Sequence, residues 1–307
     1  MDENFVDLKR EFFGIGLLKY KTALKRNVSF NFKKCSAATP CLTVNCPFRN
    51  GRNNRFKCIN ADKFKSLRTP PNANLLRRAY SPSEFDEYHF NLHFAGQPES
   101  RSSINGKQFH MPKEVPFFPV DPREAFAECP KSCPDKKTCS CTQVLHLIPG
   151  KVIQFTFYHM GKIDGLSGTN HPLHIHGHHF YVVSYNYPDY YRNGTFLKNN
   201  NDINCTDRST FCNNVGWSNP EHRNGNISNA NLVNPALKDT IIVPVGGYVT
   251  IRFLADNPGY WIMHCHIENH HADGMQLLIK EAFDDNQIKN MVKLDEINTC
   301  YKGFRKN

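Results

Sequence analysis

The stretch Trp261–Ile279 decides the fold: it reads WIMHCHIENHHADGMQLLI and contains the triplet His264-Cys265-His266. In a β-strand, residues i and i+2 lie on one face and the residue between them lies on the other. A strand through the triplet therefore directs Cys265 to one side of a sheet and both histidines to the opposite side. The sequence predicts a strand here with different chemistry on its two faces.

A second histidine-rich stretch lies upstream, at His171–Val183, and reads HPLHIHGHHFYVV. Its His174 and His176 form another i, i+2 pair, so each stretch contributes two histidines to one face of a strand. The two stretches also supply a second group of side chains, with two imidazoles, one thiol and one thioether. The members of that group are His171, Cys265, His270 and Met275.

This second group has the donor types of a blue copper site. Such a site binds copper through two histidines and one cysteine, with a weak axial methionine. Structural zinc is the alternative, but zinc takes four ligands and would leave Met275 and the surplus histidines unexplained. The sequence therefore predicts a copper centre at Cys265. One short piece of backbone would join this centre to a second metal centre on the opposite face.

Both stretches resemble the two copper-binding motifs in the last domain of multicopper oxidases of the laccase and ascorbate oxidase type. The resemblance implies a type 1 copper with four ligands, which are His171, Cys265, His270 and Met275. For a three-copper cluster it implies type 3 ligands at His176, His264 and His266, and a type 2 ligand at His174. Copper is therefore the cofactor that the resemblance implies.

The other histidines do not complete such a cluster. Enzymes of this type build it between their first and last domains, and each domain supplies two His-x-His pairs. Six of the 15 histidines are assigned above, and the remaining nine form no further His-x-His pair. Three of these nine, His178, His179 and His271, match no ligand position, and we expect them to be ordinary polar residues. We also expect that N-terminal cupredoxin domains, missing from this chain, supply the other ligands.

Further segments resemble animal laccases in particular, and the resemblance covers about residues 35–280. Cys41–Leu67 resembles the Cys-rich connection that precedes their last domain, and Asp239–Trp261 continues the match within that domain. The resemblance implies an all-β fold, a cupredoxin-like Greek-key β-sandwich. It divides the chain into the end of a preceding cupredoxin domain (1–34), a Cys-rich connection (35–80), the C-terminal copper-binding cupredoxin domain (81–284) and a C-terminal tail (285–307).

The spacing of strand-like runs and turns independently favours an all-β sandwich. No helix-period pattern of useful length precedes residue 285. Four strand-like runs, in two pairs around turns, are Val144–Ile148, Val152–Tyr158, Thr240–Val243 and Tyr248–Phe253. Asn105-Gly106 favours a tight hairpin turn. The Asn-rich stretch Tyr185–Asn234 is predicted to be a long polar excursion between strands.

The composition points to an oxidising, glycosylating compartment. The chain has 12 cysteines, and its Asn-x-Ser/Thr acceptor sites are Asn27, Asn193, Asn204 and Asn226. The first residues lack the apolar core of a secretory signal, so we expect the front of the polypeptide to be missing and the full protein to be extracellular. No segment approaches the roughly 18 apolar residues that would span a bilayer. The net charge of +10 comes without a nucleic-acid motif, so we expect a solvated basic surface and no nucleic-acid partner.

With Cys265 set aside as a metal ligand, eleven of the 12 cysteines remain, which is an odd number. Two clusters favour local disulfides, and they comprise Cys35, Cys41, Cys46 and Cys58, and Cys129, Cys133, Cys139 and Cys141. Cys205 and Cys212 bracket a loop. Zinc is the alternative for Cys139 and Cys141, and the sequence leaves the connectivity open.

The resemblance implies one-electron oxidation of phenols or diphenols at type 1 copper, with His171, Cys265 and His270 as the central residues, and reduction of dioxygen to water at the three-copper cluster. Two alternatives stay open. One is a ferroxidase of the same family, which would oxidise ferrous iron; the other is a truncated copper-binding or electron-transfer module that does not reduce oxygen. Glu268 and Asp273, beside the ligands, could orient imidazoles or relay protons, or could be surface carboxylates.

Overall fold

The structure is a computed structural model that describes residues 35–44, 55–59, 61–67, 73–95, 101–112, 129–130, 138–160, 170–191, 196–205, 212 and 214–281. The predicted end of a preceding domain (1–34) and the predicted tail (285–307) lie outside these ranges. So do Cys46, Cys133, Asn27 and Asn193. None of the helices in the described ranges combines the length and the apolar character needed to cross a bilayer.

The described residues form nineteen strands and very little helix, as the strand-like runs predict. In chain order the strands are β1 (Cys41–Val44), β2 (Phe56–Ile59), β3 (Phe85–Ala95), β4 (Arg101–Ile104), β5 (Lys107–Phe109), β6 (Cys139–Cys141), β7 (Val144–Leu147), β8 (Val152–Tyr158), β9 (His171–Ile175), β10 (Phe180–Asn186), β11 (Asp189–Tyr190), β12 (Phe196–Lys198), β13 (Ile203–Cys205), β14 (Val215–Trp217), β15 (Leu237–Lys238), β16 (Thr240–Val243), β17 (Tyr248–Leu254), β18 (Gly259–Cys265) and β19 (Gln276–Glu281). The helical elements are α1 (Glu268–Ala272) and the 3-10 turns Ala61–Lys63, Ala73–Leu76 and Pro220–His222.

Two large sheets make a β-sandwich. One has eight strands in the order β15-β10-β17-β8-β3-β4-β5-β6, and the other has five in the order β16-β9-β18-β19-β7. Consecutive strands repeatedly belong to opposite sheets, as with β7 and β8, β9 and β10, and β16 and β17. The predicted turn at Pro149-Gly150 therefore carries the chain from one sheet to the other. The all-β sandwich is confirmed.

The core lies between the sheets and is rich in aromatic rings. Phe155 of β8 contacts the rings of Phe90, Phe157 and Phe253 at centroid distances of 5.0–5.8 Å. All seven residues of β8 are buried, because its second face is covered as well. A strand buried on both faces belongs to the middle of a layered structure, and β8 is such a strand.

The Asn-rich excursion covers the second face of β8, and its described segments form short strands. Its segments pair as β11 with β12 and β13 with β14. Trp217 and Ile227 are buried in a second hydrophobic cluster that also contains Tyr158 and Tyr248. The described parts of the excursion lie between β10 and β16, as predicted, and a few well-spaced apolar residues anchor this mostly polar segment to the sheet.

Disulfides hold several of these segments. Cys35 is bonded to Cys41, Cys129 to Cys141, and Cys205 to Cys212, so local pairing within the predicted clusters is confirmed. Cys139 is also disulfide-bonded, which rules out the zinc alternative for Cys139 and Cys141. Among the described cysteines, only Cys265 is free, and it is buried.

The register of β9 and β18 sets the two faces of the five-stranded sheet. The strands are antiparallel, with His264 opposite His174 and Cys265 opposite Leu173. Residues that are directly opposite point to the same face, so Cys265 and Leu173 face the core together, and both are fully buried. His174 and His264 share the other face. The alternation predicted from the His-Cys-His triplet is confirmed.

Replacing Leu173 with Ala should destabilise the strand pair that carries the histidines. Leu173 is fully buried in the core, and a Leu→Ala change in a packed core costs about 2–5 kcal/mol. Urea unfolding of the disulfide-bonded chain measures the loss. The control is Ile148→Ala, at a residue that is 53% exposed, where a change within about 0.5 kcal/mol is expected. Equal losses in the two variants would contradict the packing described here.

Candidate metal centre

Three donor atoms converge on the core side of β18. The Nδ1 atom of His171 lies 3.5 Å from the Sγ atom of Cys265, and the Nδ1 atom of His270 lies 3.7 Å from the same sulfur. The two Nδ1 atoms are 3.2 Å apart. These three residues are the one cluster among the described residues whose His, Cys or carboxylate atoms gather closely enough to hold an ion.

Backbone hydrogen bonds bring the three residues together. His171 begins β9, Cys265 ends β18 and His270 lies on α1, which follows at once. The backbone N–H of Ile267 donates to Cys265 Sγ at 3.5 Å, and the N–H of His270 donates to the carbonyl of Ile267 at 3.0 Å. The loop after β18 is thus folded against the thiol that it surrounds.

Met275 closes the same loop. Its N–H donates to the carbonyl of His270 at 2.9 Å, and its carbonyl accepts from the N–H of Cys265 at 3.0 Å. The side chain is fully buried, in the same hydrophobic cluster as Cys265. The backbone of the fourth predicted ligand therefore lies directly beside two of the others.

The spacing of the three donors fits a first-row metal ion. Such an ion holds imidazole nitrogen at about 2.0 Å and thiolate sulfur at about 2.3 Å, so three donors in one plane around it are about 3.5–3.8 Å apart. The observed separations of 3.2, 3.5 and 3.7 Å lie close to these values. A donor set of two imidazoles and one thiol, with a thioether nearby in the chain, is the set that copper takes in blue copper sites.

Burial shifts the pKa of each of the three donors towards its uncharged form. It raises the pKa of the Cys265 thiol to about 11, and it lowers the pKa of His171 well below its ordinary range, as does the nearby His159. Burial also lowers the pKa of His270. A thiol must lose its proton to bind a metal, so binding at this site would release a proton from Cys265.

The opposite face of the sheet carries the four paired histidines. The rings of His174 and His264 lie 5.6 Å apart and those of His176 and His264 lie 5.3 Å apart. His266 follows β18, with its ring 5.6 Å from that of His264. The Nε2 atoms of His176 and His264 are 3.2 Å apart, so the two His-x-His pairs meet at the tips of these two rings.

Two of the other ring nitrogens on this face, those of His174 and His264, are hydrogen-bonded to backbone carbonyls. The Nδ1 atom of His174 lies 2.8 Å from the carbonyl of Asp239, and that of His264 lies 3.0 Å from the carbonyl of Cys265. Carbonyl oxygens only accept, so each Nδ1 carries the proton and each Nε2 offers a lone pair. A hydrogen bond from the ring nitrogen that does not face the metal fixes the tautomer and orientation of a metal-binding histidine.

Sequence reasoning gave no role to three histidines that have defined contacts in the structure, and two of them, His159 and His271, lie beside the donor groups. His159 is buried, and its Nδ1 lies 2.9 Å from His171 Nε2. His271 has its ring 4.4 Å from that of His264. His178 is buried and pairs with Glu281 at 2.6 Å. His178 and His271 were predicted to be ordinary polar residues outside the ligand sets, and that stays a prediction; their contacts come from other parts of the fold and could not be seen in the sequence.

The comparisons with known proteins concern the part of the chain that holds both groups. A family model described as multicopper oxidase matches residues 108–284. Laccase-10 of Arabidopsis thaliana is 29% identical over 202 residues, which cover 61% of this chain and 30% of that protein. Laccase-14 of Oryza sativa subsp. japonica is 38% identical over 119 residues, which cover 39% of this chain and 15% of that protein.

Solved structures show the same pattern of partial coverage. A laccase from Botrytis aclada has a TM-score of 0.45 and 19% identity, over 73% of this chain and 33% of that chain. The chain therefore spans about a third or less of the length of the proteins named here.

Of the two carboxylates beside the ligands, Asp273 has a definite structural role. It lies just after α1, and its Oδ2 accepts a hydrogen bond from the N–H of Ser102 at 2.7 Å. Gln108 donates to its backbone carbonyl at 2.9 Å. Ser102 and Gln108 belong to the β4–β5 hairpin, whose turn at Asn105-Gly106 has positive φ at both residues, as the sequence predicts. Asp273 therefore ties the loop around the donors to a neighbouring hairpin, whereas Glu268 is exposed.

Replacing Asp273 with Ala should loosen this loop. The change leaves the N–H of the fully buried Ser102 without its acceptor, and an unpaired buried donor costs about 1–3 kcal/mol. Glu268→Ala removes the exposed neighbouring carboxylate and is the matched control, for which little change is expected. Guanidinium unfolding of both variants gives the comparison. An Asp273→Ala variant as stable as Glu268→Ala would show that the tie does not hold the loop.

Proposed function

Since the chain belongs to the multicopper oxidase family, we propose that it is the C-terminal, copper-binding portion of a laccase-like oxidase. One observation carries the proposal. A single strand, β18, places Cys265 within 3.7 Å of the Nδ1 atoms of two histidines and directs its neighbours His264 and His266 to the opposite face. The two candidate metal sites are therefore joined by a short covalent path along one strand, which is a route for electron transfer between them.

The proposed ligands follow the resemblance residue by residue. A type 1 copper would be held by His171, Cys265, His270 and Met275. A three-copper cluster would take His176, His264 and His266 as type 3 ligands and His174 as a type 2 ligand. The donor separations at the first site and the Nε2 lone pairs at the second support this assignment.

When bound, copper supplies one-electron chemistry, in which electrons leave a reducing substrate singly and reduce dioxygen to water. The chain's own residues decide where that substrate can approach. His171 is fully buried and its Nε2 is engaged by His159, whereas His270 is only partly buried. Phe94 packs edge-on against the His270 ring at 5.0 Å and steadies it. We therefore assign substrate contact to the edge of His270.

Cys265 has two further tasks. Its fully buried position keeps water away from the sulfur, which protects the thiolate from competing reactions. It also forms peptide bonds to His264 and His266, so the shortest covalent path between the two faces runs through its own backbone. A phenol or a diphenol is the substrate class that we propose.

A ferroxidase is the second candidate, and it would need carboxylates free to bind ferrous iron beside His270. Asp273, which lies near His270, is engaged by Ser102 and by Arg101, at 2.7 and 3.3 Å. That engagement removes Asp273 from the carboxylates available to iron, and leaves the exposed Glu268 of α1 as the carboxylate that a ferroxidase would use. A copper-binding module without oxygen reduction is the third candidate, and oxygen uptake distinguishes it from the other two.

The proposal extends to the parts of the protein around this site. We propose that residues 35–80 are a connection, that 81–284 are the copper-binding cupredoxin-like domain, and that preceding cupredoxin domains complete the three-copper cluster. We also propose an extracellular location. The three described disulfides and the exposed acceptor Asn204 support it.

Copper loading should give the chain an intense visible band, from charge transfer between the Cys265 thiolate and copper. Cys265→Ser should abolish the band, because serine does not supply a thiolate. Absorption spectra of the two proteins, loaded with one equivalent of copper, test this. Cys139 is disulfide-bonded, so the reagent that loads copper must leave disulfides intact. A band of undiminished strength in Cys265→Ser would refute the site assignment.

Residues 1–307 alone should not catalyse four-electron reduction of oxygen. A three-copper cluster needs more imidazoles than the four on the open face, and His176 and His266 there are exposed, so ions held only by this face would be lost readily. An oxygen electrode with a diphenol should record uptake near background. Uptake should appear when a region carrying two further His-x-His pairs is supplied. Rapid uptake by the monomeric chain would contradict the proposed division of ligands.

A further inference from the structure

The ring of His159 is the feature that the proposed function leaves unused. His159 directly follows β8, in the eight-stranded sheet, whereas His171 begins β9, in the five-stranded sheet. Both residues are buried, with 1% and 0% of their surface exposed. Their facing ring nitrogens, His159 Nδ1 and His171 Nε2, are 2.9 Å apart. A hydrogen bond between two imidazoles thus crosses the core of the sandwich at the metal centre.

The protons of this pair can be placed from their neighbours. The Nδ1 atom of His171 faces Cys265 and His270 and must offer a lone pair to a metal, so its Nε2 carries the proton. That proton requires an acceptor, which is the Nδ1 atom of His159. The remaining nitrogen of His159 then carries a proton and donates to the backbone carbonyl of Leu92. A series of hydrogen bonds therefore runs from His171 through His159 to Leu92 of β3.

We propose that His159 is a positioning residue of the type 1 copper site, which accepts the Nε2–H of His171 and thereby fixes the tautomer and the ring orientation of that ligand. The inference rests on the proposed function, because it assumes that His171 is a ligand. Histidine ligands in metal sites usually donate to a carboxylate, a carbonyl or water. Here the acceptor is a second neutral imidazole, buried away from solvent.

The backbone of His159 is held in place by contacts that do not involve its side chain. The carbonyl of His159 accepts a hydrogen bond from Gly246 N–H at 2.6 Å, and the residue forms a bridge with Val245. Backbone contacts therefore hold this position whichever side chain is present. Loss of the imidazole should change the ligand rather than unfold the strand.

The effect on copper has a definite sign. A hydrogen bond from the far nitrogen makes a ligating imidazole more basic, and loss of such a partner typically lowers metal affinity about 10–100-fold. When His171 becomes less basic, the oxidised ion loses more stabilisation than the reduced ion does. Loss of the acceptor should therefore weaken Cu²⁺ binding and raise the reduction potential of the site.

Three variants of residues 1–307 test the inference. His159→Phe keeps a ring but removes the acceptor, and His159→Asn restores an acceptor oxygen near the position of Nδ1. His222→Phe is the matched control, because His222 is also buried and hydrogen-bonded, to Ser228 at 3.0 Å, but its ring packs against Trp217 of the second hydrophobic cluster. Long-range proton–nitrogen NMR of the metal-free chain reports the tautomer of His171, and Cu²⁺ titration and redox titration report the site.

We expect His171 to be the Nε2–H tautomer in the unchanged, metal-free chain and a mixture of tautomers in His159→Phe. Cu²⁺ affinity should fall about 10–100-fold in His159→Phe, with a shifted visible band and a raised potential. His159→Asn should recover most of the Cu²⁺ affinity and of the original potential, and His222→Phe should leave the affinity and the potential unchanged. An Nδ1–H tautomer of His171 in the unchanged chain would overturn the inference even if no variant folds. So would a His159→Phe variant that matches the unchanged chain.

Failure of the proposed function looks different. A chain that shows the Nε2–H tautomer of His171 but gives no visible band with copper would keep the hydrogen bond and refute the copper site. A chain with the band and with the wrong tautomer would keep the copper site and refute the role of His159.

Discussion

The antiparallel pairing of β9 with β18 is the constraint on which the rest of the site depends. Cys265 lies opposite Leu173 and His264 lies opposite His174, so one register decides which side chains face the core. A slip of one residue would turn every side chain of β18 to the other face. The thiol would then be in solvent and the paired histidines in the core. The packing of Leu173 and its neighbours between the sheets therefore also determines where metal can bind.

The surroundings of the donors are assembled from elements far apart in the chain, and each makes a separate contribution. The loop of α1 folds onto the thiol through backbone hydrogen bonds, and Asp273 ties that loop to the β4–β5 hairpin. His159 approaches His171 from the opposite sheet, and Phe94 packs on His270. Together these contacts restrain the three donors at separations that suit a metal ion.

The convergence of His171, Cys265 and His270 could be predicted from the sequence because it follows from local pattern. The alternation in His264-Cys265-His266 needs only a strand, and Asn105-Gly106 needs only a tight turn. The sequence did not predict the supporting residues, because their roles depend on how the sheets stack. His159 stands in no motif, and only the approach of β8 to β9 brings it to His171. The anchoring residues of the Asn-rich excursion were not predicted for a similar reason, since the burial of Trp217 and Ile227 depends on the sheet face that they cover.

We propose that one copper ion binds among His171, Cys265 and His270. Anomalous diffraction at the copper edge, from crystals of the chain grown with copper, locates the ion. We expect a peak within about 2.5 Å of Cys265 Sγ and of the Nδ1 atoms of both histidines. A copper peak bound elsewhere, with these three atoms uncoordinated in the same crystal, would contradict it.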